Sequence, residues 1–247
     1  LVRGRLPVPH LESLGALARP FAHTLSRTMN TLLAELDEDR VATAVAEAEE
    51  RTAGEIVPVV IPQSGTYEGA VWRGASAGAL LAMATVLLVV RFYTGWGLGW
   101  LFTPWGTVGM TLGAGTVGAL LAAYVPPVQR ALVGSDRLDR TVHQRAMQAF
   151  VDEEVFGTRD RTGILLFVSL LEHRIEVVGD TGIHQAVEPD DWADIVARIR
   201  AGITNKNLTD GLVDAIGMCG RLLEERGVEI RPDDDDELSN RLRTPEE

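Results

Sequence analysis

Residues 74–90 read GASAGALLAMATVLLVV and residues 105–125 read WGTVGMTLGAGTVGALLAAYV, and these two apolar stretches decide the fold of the chain. No charged residue occurs from Phe92 to Gln129. A helix needs ~20 mostly apolar residues to cross a membrane, and ~17–25 are tolerated. The sequence therefore predicts a transmembrane hairpin over residues 70–126. The alternative is a pair of helices buried inside a soluble core.

Glycines within the two apolar stretches and tryptophans near the connection between them predict how the hairpin packs and where it meets the membrane surface. Glycines lie four residues apart in both stretches, and small residues let helix backbones approach closely in lipid. We expect them to pack the two helices on each other or on a helix of another protein: Gly74, Gly78, Gly109 and Gly113. Tryptophans crowd the connection, where aromatic residues mark a membrane interface: Trp96, Trp100 and Trp105.

The arginines predict how the hairpin is oriented. The connecting loop carries only Arg91, at its edge, whereas the outer flanks are richer in arginine. Cytoplasmic segments next to membrane spans carry an excess of Lys and Arg. We therefore expect both flanks in the cytoplasm and the loop outside, on the evidence of Arg73, Arg130, Arg137, Arg140 and Arg145.

Length and composition exclude several classes of protein. The chain has 247 residues, which suits one or two domains with a sizeable core. Its single cysteine, Cys219, cannot form an internal disulfide and falls on the apolar stripe of a predicted helix, so we expect it in the core. A net charge of −12 without a basic stripe argues against nucleic acid as a partner.

The segments on either side of the hairpin alternate between helix and strand patterns, which is typical of a layered α/β domain. The domain is expected in two parts, residues 37–69 and 127–230. Asp37 is expected to cap a first helix that runs to Ala53, and Pro58 marks an edge strand or a bulge. The predicted strands are Glu55–Pro62, Gly163–Leu171 and Arg174–Gly179, and the later helices are Leu138–Phe156, Pro189–Ile203 and Leu208–Arg226.

Two terminal segments lie outside this pattern. An arm over residues 1–36 repeats apolar residues at three- or four-residue spacing, which suits a helix on a membrane, on a partner, or folded back on its own domain. The arm residues expected to dock are Leu11, Leu14, Phe21, Leu25, Met29 and Leu32. The acidic tail, residues 231–247, carries Asp233–Asp236; such runs are typically solvated, and the alternative is docking on a basic surface.

Three stretches of the chain resemble a known family. They are ERTAGEIVPVVIP at 50–62, DRTGILLFVSLLEHRIEVVGDTGI at 160–183 and KNLTDGLVDAI at 206–216. They resemble the TPM domain family, named for a thylakoid lumen protein, a photosystem repair protein and a modulator of acetylcholine receptors. A transmembrane pair that interrupts the domain is typical of its bacterial integral-membrane branch. The resemblance implies a small α/β/α sandwich and the bacterial cytoplasmic (inner) membrane.

The resemblance also implies where a cation would bind. Metal-binding relatives carry an acidic loop before the central strand and paired acids after it. The matching positions here are Asp160, Glu172 and Asp180, and a hard cation such as Ca or Mg wants several converging oxygen ligands. Arg159 and Arg161 flank Asp160 and would pair with it instead. No cofactor is expected on this ground, with Ca or Mg as the alternative.

Two functions follow from these observations. The first is a non-catalytic accessory or assembly subunit of a larger membrane complex, whose partners are lipid and other integral membrane subunits; a photosynthetic complex is one candidate. The second is a divalent-cation-dependent phosphatase of the TPM type, in which a cation held by Asp160, Glu172 and Asp180 polarises a phosphoryl oxygen.

Overall fold

The computed structural model describes residue 33 and residues 35–92, 99, 103–228 and 237–244. The fold is mixed α/β, with mostly helices and a small three-stranded sheet. The chain divides into two units. Among the described residues, those within 33–66 and 136–244 form one, the α/β unit, and those within 67–135 form the other.

The elements follow the chain in this order. The first part of the α/β unit supplies α1 (Glu38–Glu49) and β1 (Glu55–Ile61). The intervening segment forms α2 (Glu68–Phe92), α3 (Pro104–Tyr124) and α4 (Pro126–Val133). The chain continues with α5 (Ser135–Asp152), β2 (Gly163–Ser169), β3 (Arg174–Gly179), α6 (Thr181–Ala186), α7 (Ala193–Thr204) and α8 (Leu208–Glu225), with single 3-10 turns at Val155–Gly157 and Pro189–Trp192.

The sheet joins strands that are far apart in the sequence. β1 and β2 pair in parallel, with Glu55 opposite Gly163, and β3 pairs antiparallel with β2. The strand order β1-β2-β3 places β1 at an edge, which confirms the edge reading of Pro58. Every residue of β2 is buried, as its continuous apolar run predicts for a central strand with both faces covered.

A separate hydrophobic cluster covers each face of the sheet. On one face, α1, α7 and α8 pack on the residues of β1 and β2 that point toward them, such as Ile56 and Ile164. On the other face, α5 packs through Val142 and Ala146 on a group that includes Phe167. Alternate residues of one strand thus enter different cores, because successive side chains point to opposite faces.

The structure corrects some predicted boundaries. Asp37 does cap α1, since its side chain accepts from the Arg40 backbone N–H at 3.0 Å. The helix ends at Glu49 and not at Ala53, because the Thr52 hydroxyl and the Ala53 backbone N–H both donate to the carbonyl oxygen of Val228. The short helices α4 and α6 were not expected, since eight and six residues are too few to show a period.

Candidate functional site

Two helices, α2 and α3, are long and apolar enough to cross a membrane. They contain 25 and 21 residues, and their most apolar windows have mean hydropathies of 2.0 and 1.4. At 1.5 Å of rise per residue they are about 37 and about 31 Å long, against about 30 Å of hydrocarbon in a bilayer. Only 11% of each window is buried in the structure, so these are not core helices of the α/β unit.

Glycines bring the backbones of α2 and α3 together. A Cβ placed on Gly74 would lie 2.4 Å from the carbonyl oxygen of Gly118, and one on Gly78 would lie 2.3 Å from that of Ala114. No real Cβ tolerates such distances, so each position accepts only hydrogen. Close Cα–H approaches to carbonyl oxygens are a recurring feature of helix interfaces. Gly74 and Gly78 thus face the backbone of α3 at its closest approach, and their role in packing helices within a membrane stays a prediction.

Gly109 and Gly113 do not take part in this contact. A Cβ on either residue would meet nothing within 4 Å, and both residues are exposed. The positions that α3 uses instead are Ala114 and Gly118, together with Gly115. The sequence contains both four-residue spacings on this helix, and periodicity alone does not select between them. The open face of Gly109 and Gly113 leaves the other predicted role, packing on a helix of another protein, as a proposal.

The outer surface of the hairpin is apolar. Trp105 is 85% exposed, in keeping with a place near the loop end of α3. Other large apolar side chains lie exposed along both helices: Leu80, Leu81, Leu87, Leu88, Val90, Phe92, Val108, Leu112, Val117 and Leu121. Trp96, Trp100 and the arm residues Leu11, Leu14, Phe21, Leu25, Met29 and Leu32 lie outside the residues that the structure describes.

Asp180 lies at one end of the sheet and is paired with an arginine. Its carboxylate is nearly buried, with Arg161 Nε 2.6 Å from one oxygen and Arg161 Nη2 3.0 Å from the other. The same carboxylate caps α6 by accepting from the Thr181 backbone N–H. The flanking Arg161 therefore neutralises Asp180, and not only its neighbour Asp160 as its place in the sequence predicts.

Glu172 lies at the opposite end of the strands. The register pairs Ser169 with Arg174 at this end and Ile164 with Gly179 at the other. Five residues of strand separate these pairs, which is about 17 Å. The carboxylates of Asp160, Glu172 and Asp180 therefore do not converge. Within the described part of the chain, no group of three or more His, Cys, Asp and Glu side chains is placed to hold a metal ion.

Glu172 is buried, and its carboxylate is held by hydrogen bonds from two serines. Its carboxylate accepts from the Ser64 backbone N–H at 2.9 Å and from the Ser169 hydroxyl at 2.5 Å, and the two serine hydroxyls lie 2.7 Å apart. These bonds fix the loop that follows β1. A carboxylate engaged in this way stabilises the loop, since a buried charge needs several donors.

Cys219 is fully buried on α8, as predicted. Burial raises the pKa of its thiol to about 12, because a thiolate is poorly solvated inside the core. The thiol is thus protonated at neutral pH and inert toward alkylating reagents, since the thiolate is the nucleophile.

Comparison with known proteins identifies a similar fold and no family. No family model matches the chain, and no curated protein matches it. The chain is similar to the BA42 protein of the psychrophilic bacterium Bizionia argentinensis, whose structure was solved by NMR. The match has a TM-score of 0.50 and 19% sequence identity, and covers 85% of this chain and 96% of that chain. At this identity the likeness concerns the fold alone.

The glycine contact predicts different outcomes for one substitution at two sites. We expect Gly78→Leu to destabilise the hairpin by about 1–3 kcal/mol, because the side chain meets the backbone of α3. Gly113→Leu is the matched control, since its side chain enters open space. The measurement is the temperature at which each detergent-solubilised variant loses its monodisperse peak in size-exclusion chromatography. Equal losses for both variants would show that the glycine contact is not needed.

The Asp180–Arg161 pair predicts a local effect. Asp180→Asn keeps the helix cap, since Asn caps as well as Asp, but removes the charge that faces Arg161. We expect the opening free energy of β2 and β3 to fall by about 1–3 kcal/mol, measured by hydrogen exchange. Asp214→Asn is the control, because its pair with Arg198 is about half exposed, and such pairs contribute about 0–1 kcal/mol. A gain in stability for Asp180→Asn would mean that the carboxylate is strained, as in a site awaiting a cation.

Proposed function

We propose that this protein is a non-catalytic accessory or assembly subunit of a larger membrane complex. The hairpin α2–α3 anchors it in the bilayer, and the α/β unit docks on other subunits. The observation that carries the proposal is the hairpin itself: two apolar helices joined through glycine, with large apolar side chains exposed on the outside. In water such a surface is unfavourable, whereas in lipid it is the expected one.

The α/β unit supports a place in the TPM family as the second part of this proposal. Its sheet carries helices on both faces, which is the arrangement an α/β/α sandwich requires. The hairpin enters the chain between β1 and α5, as the integral-membrane branch of that family would have it. We propose the bacterial cytoplasmic membrane as its location, and photosynthetic complexes as one class of partner.

The carboxylate geometry supports an accessory role over the phosphatase alternative. A cation-dependent phosphatase needs several oxygen ligands around one ion to polarise the phosphoryl group. Here Asp180 is neutralised by Arg161, and Glu172 is bonded to two serines at the other end of the sheet. The charges that the alternative needs are thus already engaged in holding the fold.

We propose that the α/β unit lies in the cytoplasm and the connecting loop outside, and cysteine labelling tests this orientation directly. Gly99→Cys lies in the connecting loop and Glu224→Cys on the exposed side of α8, while the inert Cys219 provides an unlabelled background. In intact cells, a membrane-impermeant maleimide should label Gly99→Cys only, and permeabilisation should add Glu224→Cys. Labelling of both in intact cells, or of Glu224→Cys alone, would contradict a cytoplasmic α/β unit.

Co-purification tests the accessory role. A tagged chain, extracted from native membranes in mild detergent, should migrate with stoichiometric partners that mass spectrometry identifies. The double variant Gly109→Leu and Gly113→Leu should stay folded in the membrane but lose a partner helix, because both positions are open in the hairpin. Ala84→Leu, at an exposed position on the other helix, α2, is the control and should keep its partners.

The opposite results would contradict this function. Extraction of the chain without partners, as a single homogeneous species in every detergent, would show that it is not a subunit of a larger complex. A rise in thermal stability with millimolar Ca or Mg, together with cation-dependent release of inorganic phosphate from a phosphomonoester, would favour the phosphatase. A ligand at a hundred times its Kd stabilises by ~2.7 kcal/mol, which a thermal scan resolves easily.

A further inference from the structure

The edge of β1 that does not pair with β2 is partly occupied by other parts of the chain. In an extended strand, alternate residues point their backbone N–H and C=O groups toward the edge, where they invite pairing with another strand. The Ile56 N–H donates to a Glu49 carboxylate oxygen at 2.8 Å, and Pro58 has no N–H to offer. Two further groups on this edge, the Pro58 carbonyl oxygen and the Val60 N–H, bond to the backbone of Arg243 at 3.0 and 2.9 Å.

The segment that supplies Arg243 is residues 237–244, ELSNRLRT, near the C-terminal end of the chain. Arg243 pairs with Val59 in a single parallel bridge. Leu242, which is 5% exposed, belongs to the hydrophobic cluster that includes Ile56 and Val60. The segment belongs to the acidic tail at residues 231–247, whose run Asp233–Asp236 lies outside the described residues; residues 237–244 pair with the edge of β1.

Two acidic side chains of the α/β unit accept hydrogen bonds from this segment. Glu153 accepts from Arg243 Nε at 3.1 Å, in a pair in which the arginine side chain is only 18% exposed. The Glu55 carboxylate accepts from the backbone N–H groups of Glu237 and Leu238 at 3.2 and 3.4 Å. The main chain of the segment thus makes two hydrogen bonds to the backbone of β1 and two to the Glu55 side chain, while its leucine and arginine side chains supply the contacts that depend on sequence.

We propose that the edge of β1 is a docking site for an extended segment of a partner protein that presents a leucine followed by an arginine. Residues 237–244 occupy the site as an internal ligand until the partner displaces them. Addition of a strand to a sheet edge is a common mode of peptide recognition, with affinity from the main chain and specificity from side-chain pockets. Every contact of the internal ligand lies within eight residues, so a partner can reproduce all of them. The inference rests on the proposed function for the partner's identity, a subunit of the same membrane complex.

Synthetic peptide 237–244, labelled with a fluorophore, is the probe, and its anisotropy is measured with the purified chain in mild detergent. The wild-type chain should bind it at least about tenfold more weakly than a chain that ends at residue 236, because the tethered segment acts at an effective concentration in the millimolar range. Arg243→Glu in the full-length chain places two like charges together at Glu153. It should open the site without shortening the protein, and bind the wild-type peptide as the truncated chain does.

A charge reversal checks the register. Glu153→Arg in the full-length chain should repel its own segment, refuse the wild-type peptide, and bind the peptide that carries Arg243→Glu. The proposal is overturned if the wild-type chain binds as tightly as the opened variants, or if the opened variants fold, by circular dichroism, and bind neither peptide. A wild-type dimer that requires residues 237–244 would also overturn it, by assigning the site to a second copy.

Failure of this inference is distinguishable from failure of the proposed function. The peptide measurement uses the purified chain alone, whereas the accessory role is tested by what migrates with the chain from native membranes. A chain with stable partners but no peptide binding would keep its role and lose this docking site. A chain with peptide binding but no complex would keep the site and lose the role.

Discussion

The parallel pairing of β1 with β2 is the constraint on which the rest of the structure depends. Parallel strands cannot be joined by a tight turn, so the chain must leave the sheet after Ile61 and return before Gly163. The entropy of closing such a connection grows only slowly with its length. A connection that holds two helices long enough to cross a membrane is thus compatible with the sheet.

The strand order also leaves one side of β1 without a neighbouring strand. β2 is covered on both sides by its neighbours, but β1 has a neighbour on one side only. The chain protects the other side with a glutamate, a proline and its own C-terminal segment, three different chemical devices within one strand. The C-terminal segment thus holds this edge through a single bridge, whereas β2 is paired along nearly its whole length on both sides.

Local patterns predicted the parts of the structure that depend on a single segment. The buried strand in the apolar run at residues 163–171 and the cap at Asp37 were confirmed, because burial and capping are visible in the residues of one segment. Gly74 and Gly78 lie where α2 and α3 approach most closely. Gly109 and Gly113 have the same four-residue spacing but face away from α2. The family resemblance places Glu172 with Asp180 in one cation site, whereas the antiparallel register puts them at opposite ends of the strands.

The sequence by itself determined the two apolar helices, the strands and the mixed α/β class, since hydrophobic periodicity and length are properties of one segment at a time. Only the tertiary structure decided which glycines meet, which carboxylate Arg161 neutralises, and that residues 237–244 pair with β1. The physical reason is that contacts between distant residues depend on strand register and helix rotation. When several pairs of residues on a helix or strand have the same spacing, the sequence alone does not determine the strand register or the helix rotation.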